Sequence, residues 1–445
     1  MENKPLCHVS HVVAIDKRYL CEADLDRLKE SLTVTQENSY SEDRDFQIYK
    51  ENDNFIFVPN AFGQRKIRLN DWNQKSYEVT SPILWPRVVL PNGYRPGQDQ
   101  AIEETTQGLR RMGGGLLDIP TGGGKTLCSL NIAANLGQKA LVLVHKEDLA
   151  TMWQETAEKF FPGARTGHVQ QDVWDYKDKH VVTALYQTLH ARSDDLPEDF
   201  LKQFGFIIVE EGHKVAAPTF VNVVSRFPAK YRLGVSATWE RKDGLSCLFH
   251  WLLGDRLHKM SVPQLQCKYF LAQIPSAVRD KDFTYRGKLN TARMITHIAT
   301  MGKLNDYIAK QTISAVNNGR SVMILTDRRK QVDLLRNRLE GLRVCEYVGG
   351  ATKEEQKKAQ NAQVVIGTYQ AAGTGTDIPH LSVLILASPR SDIVQAVGRI
   401  RRPHPDKKPP IILDPILTGS GYLRALAEKR RQQYIQLGFE EIKHG

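Results

Sequence analysis

Apolar positions change rhythm along this chain, and the changes divide it. Up to about residue 88 the pattern is mixed. Residues 20–32 space their apolar positions as an amphipathic helix does, whereas 46–50 and 54–59 read as short strands around the turn-like Glu51-Asn52-Asp53. Pro82, Pro86 and Pro91 punctuate the exit from this block. From 89 to 262 short apolar runs alternate with helix-length segments. Strands are predicted at 115–119, 139–144, 181–186, 206–210 and 232–236, with helices such as 125–136 between them. The same alternation returns with strands at 321–326, 343–347, 363–367, 382–387 and 410–413, and helices at 301–316, 328–339 and 393–399. Strand and helix in alternation make a parallel sheet covered by helices. The expected class is therefore α/β, with two parallel-sheet lobes at 89–262 and 263–417, a small α+β domain at 1–88, and a basic helix within 418–445.

With 445 residues, 41% hydrophobic and 25% charged, the chain is long enough for two or three separate cores. No apolar run is long enough to span a bilayer and the start carries no signal-peptide pattern, so a soluble protein of the cytoplasm (the host's, for a phage protein) is expected. None of the six cysteines lies in a C-x-x-C pair, which argues for free thiols rather than a zinc site or disulfide framework. The net charge of +11 is unevenly placed: residues 1–88 carry 12 basic and 14 acidic side chains, 89–263 carry 20 and 20, and 264–445 carry 29 and 16. The basic last third fits a polyanionic partner; a solvated basic surface is the alternative.

The strongest chemical signal is Thr121-Gly122-Gly123-Gly124-Lys125-Thr126, between a predicted strand and a predicted helix. Glycines let backbone N–H groups approach phosphate oxygens, and the helix N-terminus favours negative charge. Lys125 would reach the β- and γ-phosphates and the Thr126 hydroxyl would hold Mg2+, so ATP and Mg2+ are the expected cofactors. Ile119 stands where such loops usually begin with glycine. Glu210-Glu211-Gly212-His213 closes another strand at the carboxyl end where ligands of parallel sheets bind. Glu210 is assigned to the metal, and Glu211 to orienting or deprotonating the attacking water. Gln98, beside Arg95 and ahead of the loop, can both donate and accept at an adenine edge; an ordinary loop is the alternative.

In their order, these elements resemble the motifs of superfamily 2 helicases over roughly residues 89–415. Arg95 and Gln98 resemble the adenine-reading motif, 121–126 motif I, 210–213 the D-E-x-H box, and Ser236-Ala237-Thr238 motif III. Gly373-Thr374-Gly375-Thr376-Asp377 resembles motif V, and 395–402, with Gln395, Gly398, Arg399 and Arg402, resembles motif VI. The segments 236–244 and 398–403 are similar to the XPB-like and phage recombination branch. The box opens with Asp in the family and with Glu210 here, one methylene longer.

The resemblance implies two RecA-like lobes and an ATP-driven motor. Lys125, Glu210, Glu211, His213, Gln395, Arg399 and Arg402 would be catalytic, and Gly375 and Asp377 would join the nucleotide contacts. Arg399 and Arg402 would reach the γ-phosphate when the lobes close. Nucleic acid would touch His145, Lys146, Thr183, Tyr186, Gln187, Thr368 and Gly373, mostly through phosphates. Trp239 is either a base-stacking or a packing residue. The expected function is a monomeric DNA helicase or translocase for forked or branched DNA, in recombination, replication or repair, with residues 1–88 either choosing the substrate or bracing lobe one. Duplex translocation without strand separation, an RNA-directed motor, and a binding protein with a decayed ATPase site are the rivals.

Overall fold

The computed structural model describes residues 6–10, 12–35, 45–67 and 72–442, except 121, 216, 242, 262–264, 349–357, 370–377, 379, 392, 402–403 and 405–406; the side chains of Gln395 and Arg399 are also outside it. The chain divides into two compact units, Met1–Val262 and Pro263–Gly445.

In the first unit the apolar runs form a sheet in the order Val173–Asp175, Thr166–Gln170, Val181–Leu185, Ala140–Val144, Phe206–Glu210, Tyr231–Ser236, Gly114–Asp118, Arg256–Lys259. All neighbours are parallel except the edge hairpin of Thr166–Gln170 with Val173–Asp175. Ala140–Val144, Val181–Leu185 and Phe206–Glu210 are buried at every position. Side chains leave a strand on alternate faces, so a strand covered on both sides must be apolar throughout. Phe206 and Ile208 join the core beneath helices Gln98–Met112, Lys125–Leu136 and Glu147–Phe160, and Ile207 and Val209 join the opposite core.

The N-terminal block has its own sheet, Lys50–Glu51, Phe55–Pro59, Val12–Asp16, Leu6–Val9, Asn73–Ser76, with a helix at Glu22–Ser31. Three of these strands, Leu6–Val9, Val12–Asp16 and Asn73–Ser76, and the helix Asn60–Lys66 escape the sequence pattern. The block is not separate from lobe one. Cys7, Val13, Ile56 and Phe62 share one buried cluster with Leu116, Phe220 and Phe249. Phe62 meets Trp251 edge-on with ring centres 5.4 Å apart, and Arg65 pairs with Asp255.

In the main sheet of the second unit all strand neighbours are parallel, in the order Val344–Tyr347, Val364–Thr368, Ser321–Thr326, Leu381–Leu386, Ile411–Leu417, Lys268–Ile274, Glu440–Glu441; a separate hairpin of Thr284–Tyr285 with Lys288–Leu289 is antiparallel. The two units are thus two RecA-like parallel-sheet lobes, with the small α+β block built onto the first. The tail helix Gly421–Gln436 is fastened to the second sheet by Arg430, whose guanidinium grips Asp414 with bonds of 2.7 and 2.9 Å; both residues are fully buried. Among the described residues no helix is long and apolar enough to cross a membrane.

Candidate nucleotide site

Parallel register puts the carboxyl ends of five strands on one edge of the first sheet, and the predicted motifs follow those ends. The glycine loop follows Gly114–Asp118, with Gly122 at φ 85° and Gly124 at φ 89°, in the left-handed region that glycine enters without strain. The 12-residue helix Lys125–Leu136 begins directly after it, so unpaired N–H groups and the positive end of a helix dipole face the loop.

Gln98 proves to be part of this loop's frame. It is almost fully buried; its Oε1 accepts the Arg95 N–H (2.9 Å) and its Nε2 donates to the Gly123 carbonyl (2.9 Å). Arg95 donates to the Gly122 carbonyl (3.0 Å). The amide braces the loop backbone with one N–H and one lone pair of its oxygen, a role the sequence did not suggest beside the expected contact with adenine. A Cβ on Gly124 would lie 2.2 Å from Gln98 Nε2, on backbone already at positive φ. Gly124→Ala is therefore expected to weaken ATP binding at least ~10-fold, a loss of about 1.4 kcal/mol, measured with a fluorescent nucleotide; unchanged affinity would mean that the loop does not cradle phosphates.

Lys125 forms an ion pair with Glu211 Oε1. The other oxygen, Oε2, accepts from the Ser236 hydroxyl (2.7 Å) and lies 3.4 Å from His213 Nδ1. Burial alone would raise this carboxyl, but Lys125 and Lys214 with the two hydrogen bonds hold it down at about 2. Glu211 is thus an anion at neutral pH, at φ 48° where the strand turns off the sheet. Burial pushes Glu210 the other way, against the pull of Lys125 and of Trp153, whose indole N–H donates to Glu210 Oε2. Burial also pushes the His213 imidazole down, so it favours the neutral form. Thr126 is buried at the first turn of the loop's helix.

This donor set suits magnesium nucleotide. Among the described residues no three His, Cys, Asp or Glu side chains converge to hold a bare ion. Mg2+ needs no such cage, because one or two carboxylates, a hydroxyl, water and phosphate oxygens complete its shell. Thr126 and Glu210 would supply the protein's share.

The expected nucleic-acid residues separate. Gln187 is exposed and donates to the His145 carbonyl (3.3 Å); Lys146, half-buried, precedes the helix Glu147–Phe160. Burial, then Lys214 and Lys146, push His145 down to about 4, so it is neutral at pH 7. Thr183 and Tyr186 are corrections, since both side chains are fully buried. Thr183 Oγ1 is bonded by Gln154 of the helix Glu147–Phe160 and by His168 of the neighbouring strand, and Tyr186 packs against Phe220. Period-two alternation in a strand buried on both faces does not reveal which positions surface. Trp239 is a packing residue: its N–H donates to Asp118 (2.6 Å) and its ring meets Phe249 at 5.0 Å.

In the second unit Thr368 ends the strand Val364–Thr368, and the helix Val394–Ile400 carries positions 395 and 399. Before that helix, Arg390 grips Asp327 (2.7 and 2.9 Å) and lies 4.6 Å over the Tyr369 ring. Thr121, Gly373, Gly375, Asp377 and Arg402, and the side chains of Gln395 and Arg399, lie outside the described residues. Sequence reasoning missed Trp153 and Asp118 as neighbours of the acidic and motif III residues; no local spacing marks either one.

Known proteins match this arrangement. Residues 93–241 match the family described as the type III restriction enzyme res subunit, and residues 302–404 match the helicase conserved C-terminal domain. A protein of Acanthamoeba polyphaga mimivirus, named as an ATP-dependent RNA helicase, is 28% identical over 440 residues, covering 95% of this chain and 83% of its own. The DNA 3'-5' translocase XPB2 of Sulfurisphaera tokodaii is 30% identical over 216 residues, 47% of this chain and 46% of its own. A solved fragment of an HsdR subunit of a type I restriction enzyme from Vibrio vulnificus shares the fold, with a TM-score of 0.53 at 18% identity over 74% of this chain and 65% of its own.

Proposed function

The chain belongs to the superfamily 2 helicases, enzymes that hydrolyse ATP and bind nucleic acid, and on that premise we propose a DNA motor that remodels forks or branched junctions. The observation that carries the motor reading is the Lys125–Glu211 pair under a glycine loop, on a chain whose second lobe and tail hold 29 basic against 16 acidic residues. DNA is supported by the name of the Sulfurisphaera relative, which also supports placing the chain in the XPB-like branch. RNA is the second reading, favoured by the name of the mimivirus relative. Duplex translocation without strand separation keeps support from the restriction-subunit match.

Bound Mg2+·ATP supplies the phosphoryl group and a cation to offset its charge. The chain's own residues do the rest. The N–H groups of Gly122, Gly124 and Lys125 receive phosphate oxygens, while Arg95, Gln98 and the Gly123 N–H bond to the Pro120 carbonyl hold the loop in that shape. Lys125 leaves Glu211 for the phosphates. Glu211, freed on Oε1 and still held on Oε2 by Ser236, orients the attacking water and takes its proton. Because Ser236 begins the Ser-Ala-Thr segment, a shift of that segment and a change in Glu211 are one event. This couples nucleic-acid grip to hydrolysis.

Phosphate release should be measured with single-stranded DNA, duplex, forked DNA and RNA, alongside Glu211→Gln. Forked DNA is expected to stimulate most, and Glu211→Gln to lower the stimulated rate by about 10^2-fold or more while nucleotide still binds. Stimulation by RNA alone would transfer the assignment to RNA, and equal rates with all four, or none, would overturn it. We also assign substrate choice to the exposed face of residues 1–88. Because that block shares its core with lobe one, surface substitutions are the sound way to probe it, and a deletion is not.

A further inference from the structure

Glu210 lies 57 residues from Trp153 in sequence, yet the indole N–H of Trp153 donates to Glu210 Oε2. We infer that Trp153 is a positioning residue for the acidic pair: it anchors one oxygen of an unusually long first carboxylate and so aims the other at the metal shell. This rests on the reading of Glu210 as part of the ATP site.

Glu210 ends the strand Phe206–Glu210 on the face of Phe206 and Ile208, which is covered by the loop's helix and by Glu147–Phe160. Only 3% of it is exposed. Trp153, entirely buried, sits in the middle of Glu147–Phe160, with Ala150 and Ala157 of the same helix in the same core. A side chain that fills a core this tightly has one ring orientation. An indole N–H can donate but not accept, and a buried one needs a partner. Here the partner is a carboxyl oxygen, which accepts it.

Among the described residues this is the one hydrogen bond made to the Glu210 carboxylate, which leaves Oε1 without a protein donor. A glutamate has one more rotatable bond than an aspartate, so its carboxylate needs an outside anchor to hold one direction. Trp153 supplies it on a rigid helix. The bland alternative is a tryptophan that fills volume and meets the acid by default. Phenylalanine separates the two, since it keeps most of the ring and lacks the N–H.

The test uses the full chain as Trp153→Phe, Glu210→Asp, the double variant, and Lys125→Ala. Steady-state ATP hydrolysis is followed against Mg2+ concentration, and ADP binding is followed by calorimetry with and without Mg2+. Trp153→Phe is expected to lower kcat and raise the half-saturating Mg2+ by about 10-fold, as loss of such a partner does elsewhere, with KM for ATP little changed. It should weaken ADP binding with Mg2+ and not without it. Glu210→Asp falls one bond short of the indole and should show a similar loss. The double variant should be less impaired than the product of the two single losses.

A Trp153→Phe protein with wild-type kcat and Mg2+ dependence, or single losses that multiply, would overturn the assignment. If Trp153→Phe does not fold, isotope-labelled tryptophan in the wild type still decides. The Trp153 indole proton should resonate downfield, lose that shift in Glu210→Asp, and move when Mg2+·ADP is added; a resonance indifferent to both would overturn it. Full hydrolysis by Lys125→Ala would instead remove the ATP-site reading itself, and the inference with it.

Discussion

Lys125→Ala is expected to reduce nucleic-acid-stimulated ATP hydrolysis by at least ~10^2- to 10^3-fold, the usual cost of removing a preorganised charge from a developing anion. It should also change stability in a way that ordinary surface lysines do not. Glu211 is 6% exposed, and without Lys125 its carboxylate keeps Ser236 and the more distant Lys214. Leaving a buried acceptor short of its partner costs about 1–3 kcal/mol. The sign with pH follows from the carboxyl's position. In the wild type it titrates near 2, below its ordinary 4.5, so its contribution is present above 4.5 and is lost as pH falls toward 2. In the variant the folded-state value rises. The stability gap between the two proteins is then widest at neutral pH and narrows on acidification, as protonation relieves the unpaired charge. Thermal melting at pH 7.5 and at acidic pH measures this. Equal gaps at both would show that Glu211 does not depend on Lys125, and undiminished hydrolysis would remove the glycine loop from nucleotide chemistry.

The second large effect belongs to the other unit. Arg430→Leu is expected to destabilise the second lobe by about 3–5 kcal/mol, because it strands Asp414, fully buried, with the Tyr434 hydroxyl at 3.0 Å as its one remaining side-chain partner among the described residues. For a unit of this size that corresponds to a fall of roughly 10 °C in its melting temperature. Adding Asp414→Asn should recover much of the loss, since removing the second charge leaves nothing uncompensated. Arg430 also donates to the Arg390 carbonyl (2.8 Å), and Gln433 on the same helix accepts the Ile393 N–H (3.3 Å). The tail helix therefore ties down the segment that leads into Val394–Ile400. Arg430→Leu should lower the ATPase rate well below its own melting temperature. A variant that melts with the wild type would show that the pair is replaceable by packing, and one that melts early with full activity at low temperature would separate the tail helix from motif VI.

Where local spacing carried the signal, reading the chain was enough. Val394–Ile400 and Phe206–Glu210 fall within a residue of the sequence expectation, and the helix Lys125–Leu136 begins and ends on it. Strands buried on both faces must be apolar, and a glycine loop needs its glycines next to one another. Leu6–Val9 and Val12–Asp16 were not legible, because their alternation is short; they pair with each other as a local hairpin, and their outer partners, Asn73–Ser76 and Phe55–Pro59, lie far along the chain.

The sequence by itself determined the class of fold, the glycine loop, the acidic pair and the basic second lobe, since each depends on neighbours within a few residues. Tertiary structure alone decided what those residues touch. It brought Lys125 onto Glu211 across 86 positions, Trp153 onto Glu210 across 57 and Trp239 onto Asp118 across 121. It turned Gln98 onto the glycine loop, buried Thr183 and Tyr186, and fused the N-terminal block to lobe one. Strand order sets those pairings, and strand order is a property of the whole packed sheet that no local window of sequence contains.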